Sequence, residues 1–428
     1  MTVLTSWLDD EVAEAVTALG KADVLVGLPS YNNESTIRHV ISSIDSGLAK
    51  YFPDMKTVLV HADEGSSDGT PDIVVQCMSE VQSHLISGRQ GKLQKWMPFR
   101  HEMADKGKAL RTIFEIAHRL NVRACAVIDP DLLSITPEWI QLLIGPVLEG
   151  AFDYVAPYYL RHKYDGAVTN GLVYPLIRAL YGQRIRRPID GEFGCSGWLA
   201  GHFLRQPVWE SRVARFGVDV WLTMEALASG ARVCQSFLGT KVHNAKDPMT
   251  HLSPVLAQVL EAIVSQMENS EPMWRHVEEP QTVRVFYGLQ YDVAVEPVHV
   301  NVERLIERFR QGLTDLAPIW SRILSPETIA ALMPLKDCGR LAFHMADEVW
   351  ARAVYDMAIS CHHHVLPREH LLNAVAPLYL GYTASFVIET EGLTSSETER
   401  RIESLCRTFE ETKPYLVERW AVREGGTI

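Results

Sequence analysis

The stretch Arg123–Leu133, RACAVIDPDLL, places two carboxylates one residue apart behind a short apolar run. Ala124–Ile128 reads as a buried strand, with Asp129 and Asp131 at its end. Acids beside a buried strand are costly unless something positive satisfies them. Hard oxygen donors suit Mg²⁺ or Mn²⁺, and such an ion would in turn hold a polyanion. Pro130 fixes its own φ and biases Asp129 towards an extended backbone, which aims the pair. Alone, a D-x-D is weak: a strand-end turn whose acids cap the next helix explains it as well or better. The elements around it have to decide.

Those elements alternate. Residues 1–20 suggest a short amphipathic helix. Val24–Ser30 is apolar on both faces, as a central parallel strand is, and Thr57–Ala62 reads as a second strand. Ile37, Val40, Ile41 and Ile44 recur at helical spacing between them. Asp63 is followed by a Gly/Ser/Asp turn that leads to Pro71 at a helix start. Leu93–Phe99 is a candidate third strand, and Lys106 opens a helix running to Leu120. This alternation predicts a doubly wound, mainly parallel α/β sheet. Ligands bind at the carboxyl ends of such strands. Pro29, Asp63, Lys106, Asp129 and Asp131 all follow candidate strands, so they would share one crevice.

Further on, Asp153–Leu160 and Arg232–His243 read as strands. Residues 161–169 form a polar loop, Asn170–Tyr181 a helix, Pro188–Gly194 a turn and Phe216–Ser229 a helix. From about Ser253 the periodicity is helical, apart from a short piece at Val283–Tyr287. The boundary is placed so that 1–260 is the α/β domain and 261–428 an α-helical one.

Composition narrows the function. With 47% hydrophobic and 22% charged residues the chain has the make-up of a globular protein, and its 428 residues are enough for two domains or more. A net charge of −12 argues against nucleic acid as a partner. Seven dispersed cysteines without a C-x-x-C fit reduced thiols and a cytoplasmic location. The acidic, amphipathic start is not that of a signal peptide. His370–Ile388 carries no Asp, Glu, Lys or Arg, but Asn373, Pro377 and Gly381 dilute it. It is expected to be a buried helix kinked at Pro377, with no membrane partner. The run Cys361–His364 is expected to be a solvated helix end, because adjacent helical residues point in different directions.

The motifs LPSYNNESTI at 28–37 and DEGSSDGT at 63–70 resemble the opening of the nucleotide-sugar transferases with the GT-A fold. IDPDLLSITPEWI, YYLRHKYDGAVTNG, PIDGEFG and KVHNAKDP follow in the order found in the retaining synthases of mannosylglycerate and glucosylglycerate. PVHVNVERL and FHMADEVWARAVY in the tail are similar to the mannosylglycerate synthase carboxy-terminal domain, so the resemblance spans nearly the whole chain.

What the resemblance implies is specific. Asp131 and His243 would bind the divalent metal, Mg²⁺ or Mn²⁺, with Asp129 beside them on the ribose or a bound water. Pro29, Tyr31, Glu34 and Asp63 would meet the nucleoside, and Lys106 the diphosphate. Ile189 and Gly191 would touch the sugar, in a loop where Asp190 replaces a family glycine, and Glu192 and Asp219 would lie near its hydroxyls. Arg161, Asp165 and the run Ala167, Val168 and Thr169 would hold D-glycerate. The residue types suit these tasks: Arg161 can grip a carboxylate bidentately, and amides at a helix start add donors. The phosphoglycerate-using relatives carry Arg where Ala167 stands, which favours glycerate, although Lys163 or Arg161 could in part replace it.

The expected activity is therefore retaining transfer of a hexose from a nucleotide diphosphate sugar to D-glycerate. GDP-glucose is the preferred donor, giving glucosylglycerate. GDP-mannose, or 3-phosphoglycerate as acceptor, is the alternative, and a nucleotide-sugar-binding scaffold is the non-enzymatic one. A homodimer is expected, with the apolar tail as interface.

Overall fold

The computed structural model describes residues 7–77, 84–89, 106–215, 217–242, 252–289 and 298–421. The chain divides into two compact units. The first comprises Met1–Leu160, Arg187–Lys246 and Val283–Val295, and the second Arg161–Arg186, Asp247–Thr282 and Glu296–Ile428. They are not the consecutive blocks 1–260 and 261–428. The first unit hands residues 161–186 to the helical unit and takes one late strand back. Hydrophobic periodicity reports local structure, not which unit an element packs into, so this exchange left no mark on it.

The first unit is built on one eight-stranded sheet. Its strands are β1 (Val24–Ser30), β2 (Thr57–Asp63), β3 (His84–Arg89), β4 (Ala124–Val127), β5 (Tyr154–Leu160), β6 (Phe193–Ser196), β7 (Val233–Thr240) and β8 (Val285–Tyr287). The order is β3-β2-β1-β4-β6-β5-β7-β8. β6 alone is antiparallel to its neighbours, pairing Cys125 with Cys195 and Val127 with Phe193 across β4. The doubly wound, mainly parallel architecture expected from the alternation is present. Two details differ. The third strand is His84–Arg89, while the expected 93–99 lies outside the described residues. β6 occupies what reads in sequence as the tail of a glycine turn: four residues, FGCS, are too short to show alternation.

Strand side chains alternate between two helical layers. Val24, Val26 and Leu28 pack with Ile37, Ile41, Ile44, Trp139 and Ile140 on one face. On the other, Phe114 packs against Phe193, Phe203 and Trp209, with ring centroids 6.4, 5.5 and 5.9 Å apart. Gly27 lets the helix Lys106–Arg119 lie close to β1: a Cβ there would come within 2.6 Å of Ile113. That close approach fixes where Lys106, the first residue of the helix, sits.

The second unit is helical. Helices Val302–Asp315 and Ala376–Thr390 touch through Gly312 on Pro377 and Gly381 on Phe309. The 27-residue helix Ser395–Ala421 runs beside Tyr174–Tyr181 and Asp347–His362. Arg178, 2% exposed, is gripped by Glu403 and Glu410 from the long helix. Arg368–Thr390 is long and apolar enough to cross a membrane by composition, but 78% of its apolar 18-residue window is buried within the protein, and it breaks between Ala374 and Ala376, just ahead of Pro377. It is a core element. In the run Cys361–His364, Cys361 is buried and His362 stacks on Trp420, 4.1 Å between ring centroids, so this stretch packs more than its sequence suggests.

Candidate active site

At the carboxyl end of β4, Lys106 Nζ sits 2.9 Å from Asp129 Oδ1 and 3.1 Å from Asp219 Oδ2. Three elements supply the three charges: a helix start, a strand end and the first turn of the helix Val218–Ala228. Burial acts to lower the Lys106 pKa, but Asp129 and Asp219 outweigh it and hold the group well above its usual value. For Asp129, burial pushes up while Lys106 and Lys241 pull down, to about 2. Asp219 goes the other way, raised by burial against the pull of Lys106. Lys106 is therefore a fixed cation, held between two acids rather than dangling from the surface.

The loop Pro188–Gly191 lies against this group. A Cβ on Gly191 would come within 2.2 Å of Asp129 Oδ2 and 2.5 Å of Lys106 Nζ, so only glycine lets the backbone approach the ion pair. Ile189 and Asp190 beside it are half-buried. Glu192, fully buried, accepts from Lys241 Nζ at 2.7 and 2.8 Å and from the Tyr159 hydroxyl at 2.9 Å. Burial raises its pKa to about 7, opposed by Lys241 and assisted by Asp129 and Asp190. Lys241 is a site residue that no sequence motif marks. Its one signal in the sequence is a cation at the end of the last long strand, two residues before His243.

Asp131 differs from these. It is half-buried and makes no hydrogen bond or ion pair with any described residue. Thr36 Oγ1 donates to Pro130 O at 2.6 Å, pinning the backbone between the two acids. Leu133 N donates to Val242 O, and Val242 N to Ser134 Oγ, both at 2.9 Å. The chain leaving β7 thus runs beside the loop just after Asp131. His243, the second expected metal ligand, lies outside the described residues. Among the described residues no three His, Cys, Asp or Glu side chains converge on a point that would hold an ion. The fit to a divalent cation rests on Asp131, a hard oxygen donor with no partner among the described residues.

The nucleoside positions fare unevenly. Pro29 is buried within β1. The Tyr31 N–H donates to Asn33 Oδ1 at 2.9 Å, and its ring is half-exposed. Glu34 is exposed and accepts from Gly69 N at 3.2 Å, joining the two turns that carry the motifs. Asp63 needs correction. It is 1% exposed, its Oδ1 accepts from Ser66 Oγ (2.5 Å) and Ser30 Oγ (3.3 Å), and its Oδ2 accepts from Gly65 N (3.1 Å) and Ser66 N (3.0 Å). A carboxylate has about four acceptor positions, and all four are taken. Asp63 shapes the 63–70 turn rather than receiving a base or ribose.

The acceptor positions all belong to the helical unit. Arg161 Nη1 lies 3.5 Å from Asp165 Oδ1. Gly166, at φ 72°, turns the chain into a helical run opened by Ala167 and Val168, which continues as a π-helical turn, Thr169–Val173. Such turns recur at functional sites. Lys163 does not replace the missing arginine: its Nζ donates to the carbonyls of Thr390 (2.6 Å), Glu391 (3.1 Å) and Leu393 (2.9 Å), which uses all three of its protons.

A mainly parallel sheet in this order, one antiparallel strand beside β4 and charges gathered at the strand ends define a GT-A type α/β fold with a helical companion. Among solved structures, the chain is similar to glucosyl-3-phosphoglycerate synthase from Mycobacterium tuberculosis. The crystal structure in complex with phosphoglyceric acid is 23% identical with a TM-score of 0.41, over 63% of this chain and 86% of that one. The complex with Mn²⁺, uridine diphosphate and glucosyl-3-phosphoglycerate is 23% identical with a TM-score of 0.42, over 62% and 87%. The complex with Mg²⁺ and uridine diphosphate is also 23% identical, with a TM-score of 0.42, over 62% and 85%. No family model and no curated protein matches the chain.

Proposed function

We propose that the chain is a retaining hexosyltransferase that moves a sugar from a nucleotide diphosphate donor to D-glycerate. The observation that carries this reading is the Lys106 ammonium, fixed by Asp129 and Asp219 at the strand ends, with the Asp131 carboxylate, which bonds to no described residue, in the same loop as Asp129. Asp131 and His243 would hold the divalent ion. When bound, Mg²⁺ or Mn²⁺ would neutralise charge on the diphosphate as a Lewis acid.

The remaining chemistry falls to the chain's own residues. Lys106 meets a leaving diphosphate as a point charge already oriented by two acids, so little reorganisation is needed. The backbone at Gly191 stands where the sugar approaches that charge. Glu192 and Asp219 are each bound to a lysine, which disfavours either as a covalent nucleophile. Retention then comes from front-face attack, with the acceptor hydroxyl's proton passing to the diphosphate oxygen. Arg161 holds the acceptor carboxylate, and Asp165 and Thr169 its hydroxyls. Because Lys163 is spent on carbonyls and Ala167 brings no charge, glycerate is preferred over 3-phosphoglycerate. Glucose from GDP-glucose is the preferred sugar, on the resemblance alone.

The test is a grid of GDP-, UDP- and ADP-linked glucose and mannose against glycerate and 3-phosphoglycerate, with Mn²⁺ or with EDTA, read by product mass. Transfer to glycerate that EDTA abolishes is the expected result. Glycerate inert with every donor would end this reading, and nucleotide binding without turnover would favour a scaffold.

A further inference from the structure

The helical unit holds a cavity of about 750 Å³ that no part of the proposed reaction uses. This is the size of a small-molecule site. Arg178, Arg275, Val277, Glu278, Lys413 and Glu418 are among its lining residues. Lys413 projects from the long helix and is only 5% exposed.

Its surroundings are unusual for a buried lysine. Lys413 Nζ donates to a neutral group, the Val277 carbonyl, at 2.6 Å. The nearest acid, Glu410, is engaged by Arg178, as is Glu403. Arg275 is paired with Glu271 at 2.9 Å. Glu278 and Glu418 are exposed and have no partner among the described residues. A buried ammonium whose one hydrogen-bond partner among the described residues is a carbonyl favours its neutral form, and burial pulls this one down to about 8, with Glu410 pulling the other way.

We propose that Lys413 is a nucleophilic lysine and that this cavity captures small uncharged aldehydes as imines. The Nζ lone pair adds to the carbonyl carbon, and the carbonyl oxygen takes up the proton that nitrogen sheds. Loss of water then leaves the C=N bond. The cavity's cations are already paired and its open acids are negative, so an anionic carbonyl compound such as a 2-oxo acid is disfavoured. The apolar walls, Ala179, Val277 and Val417, suit a short alkyl or polyol chain.

The experiment uses the full chain with propanal and sodium cyanoborohydride at pH 8, followed by peptide mapping over time. Lys413 is expected to acquire the propyl group at least about ten-fold faster than the median lysine, as a lowered amine pKa predicts. Pyruvate in place of propanal is expected to label it several-fold more slowly. Lys413→Arg should remove the fast phase and leave the other lysines unchanged. Labelling of Lys413 at or below the median rate would overturn the proposal, as would a fast phase that survives Lys413→Arg. Faster labelling by pyruvate would overturn the ligand class. The wild-type map decides the first point even if the variant does not fold.

Discussion

Two strand ends in the same sheet carry aspartates with opposite fates. Asp63, at the end of β2, is buried and accepts four hydrogen bonds from its own loop and from Ser30. Asp131, just past β4, is half-buried and bonds to no described residue. A saturated carboxylate is part of the scaffold, because any ligand would have to displace a bond already made. A carboxylate that bonds to no described residue keeps its oxygens open to a ligand. The residue type at a strand end does not separate these roles; the count of donors around it does.

The sharpest break of this contrast is Lys106→Met. It strands Asp129 and Asp219 without their cation, so unfolding free energy should fall by about 3 kcal/mol. Transferase activity should drop about a thousand-fold or more, since positioning and charge are both lost. Denaturant melts and steady-state rates check the two together. Asp131→Asn is the cleaner probe. Activity should fall about a hundred-fold or more through loss of metal. The unfolding midpoint should stay within about 0.5 kcal/mol of wild type, because no described contact is removed. Asp63→Asn should do the reverse, costing about 1–3 kcal/mol of stability. Its activity loss should be smaller than that of Asp131→Asn when both are assayed folded. Equal behaviour of the two aspartates in these melts would erase the distinction.

His61 extends the comparison to pH. Its ring bonds Ser30 Oγ at 2.6 Å beside Asp63, and burial lowers its pKa to about 4, with Asp63 pulling the other way. A histidine whose folded pKa is depressed binds fewer protons folded than unfolded between the two pKa values. Its stabilising effect is therefore complete above about 6.5 and is lost as pH falls towards 4. About 2 kcal/mol should disappear between pH 6.5 and pH 5. His61→Gln, melted across the same range, should lose that part of the slope. The smallest effect is expected at Arg161. Arg161→Ala should raise the glycerate KM about ten-fold while donor hydrolysis is nearly unchanged. Equal loss of both would remove its acceptor role.

Much of this could be read from residue order. β1, β2, β4, β5 and β7 are apolar runs ending in polar turns, which is how buried parallel strands look. Lys106, Asp129, Asp219, Gly191 and Glu192 do come together at the strand ends. What was illegible depends on partners distant in sequence. Nothing near Asp63 says that Ser30 will complete its hydrogen bonds, and nothing near Lys163 says that it will cap the helix ending at Thr390. Lys241 hides for the same reason, since its role exists only once Glu192 is buried against it. The assignment of residues 161–186 to the helical unit is settled by Trp350 donating to Gly171 O and Arg186 pairing with Glu399, contacts made nearly 180 and over 200 residues away along the chain.

The central claim is that Asp131 and His243 together hold one divalent ion. Mn²⁺ titration of the folded protein in the presence of a nucleoside diphosphate, with free Mn²⁺ followed by electron paramagnetic resonance, tests it directly. The account predicts one tightly held ion per chain, lost on Asp131→Ala and equally on His243→Ala. Undiminished Mn²⁺ binding in either variant would contradict it.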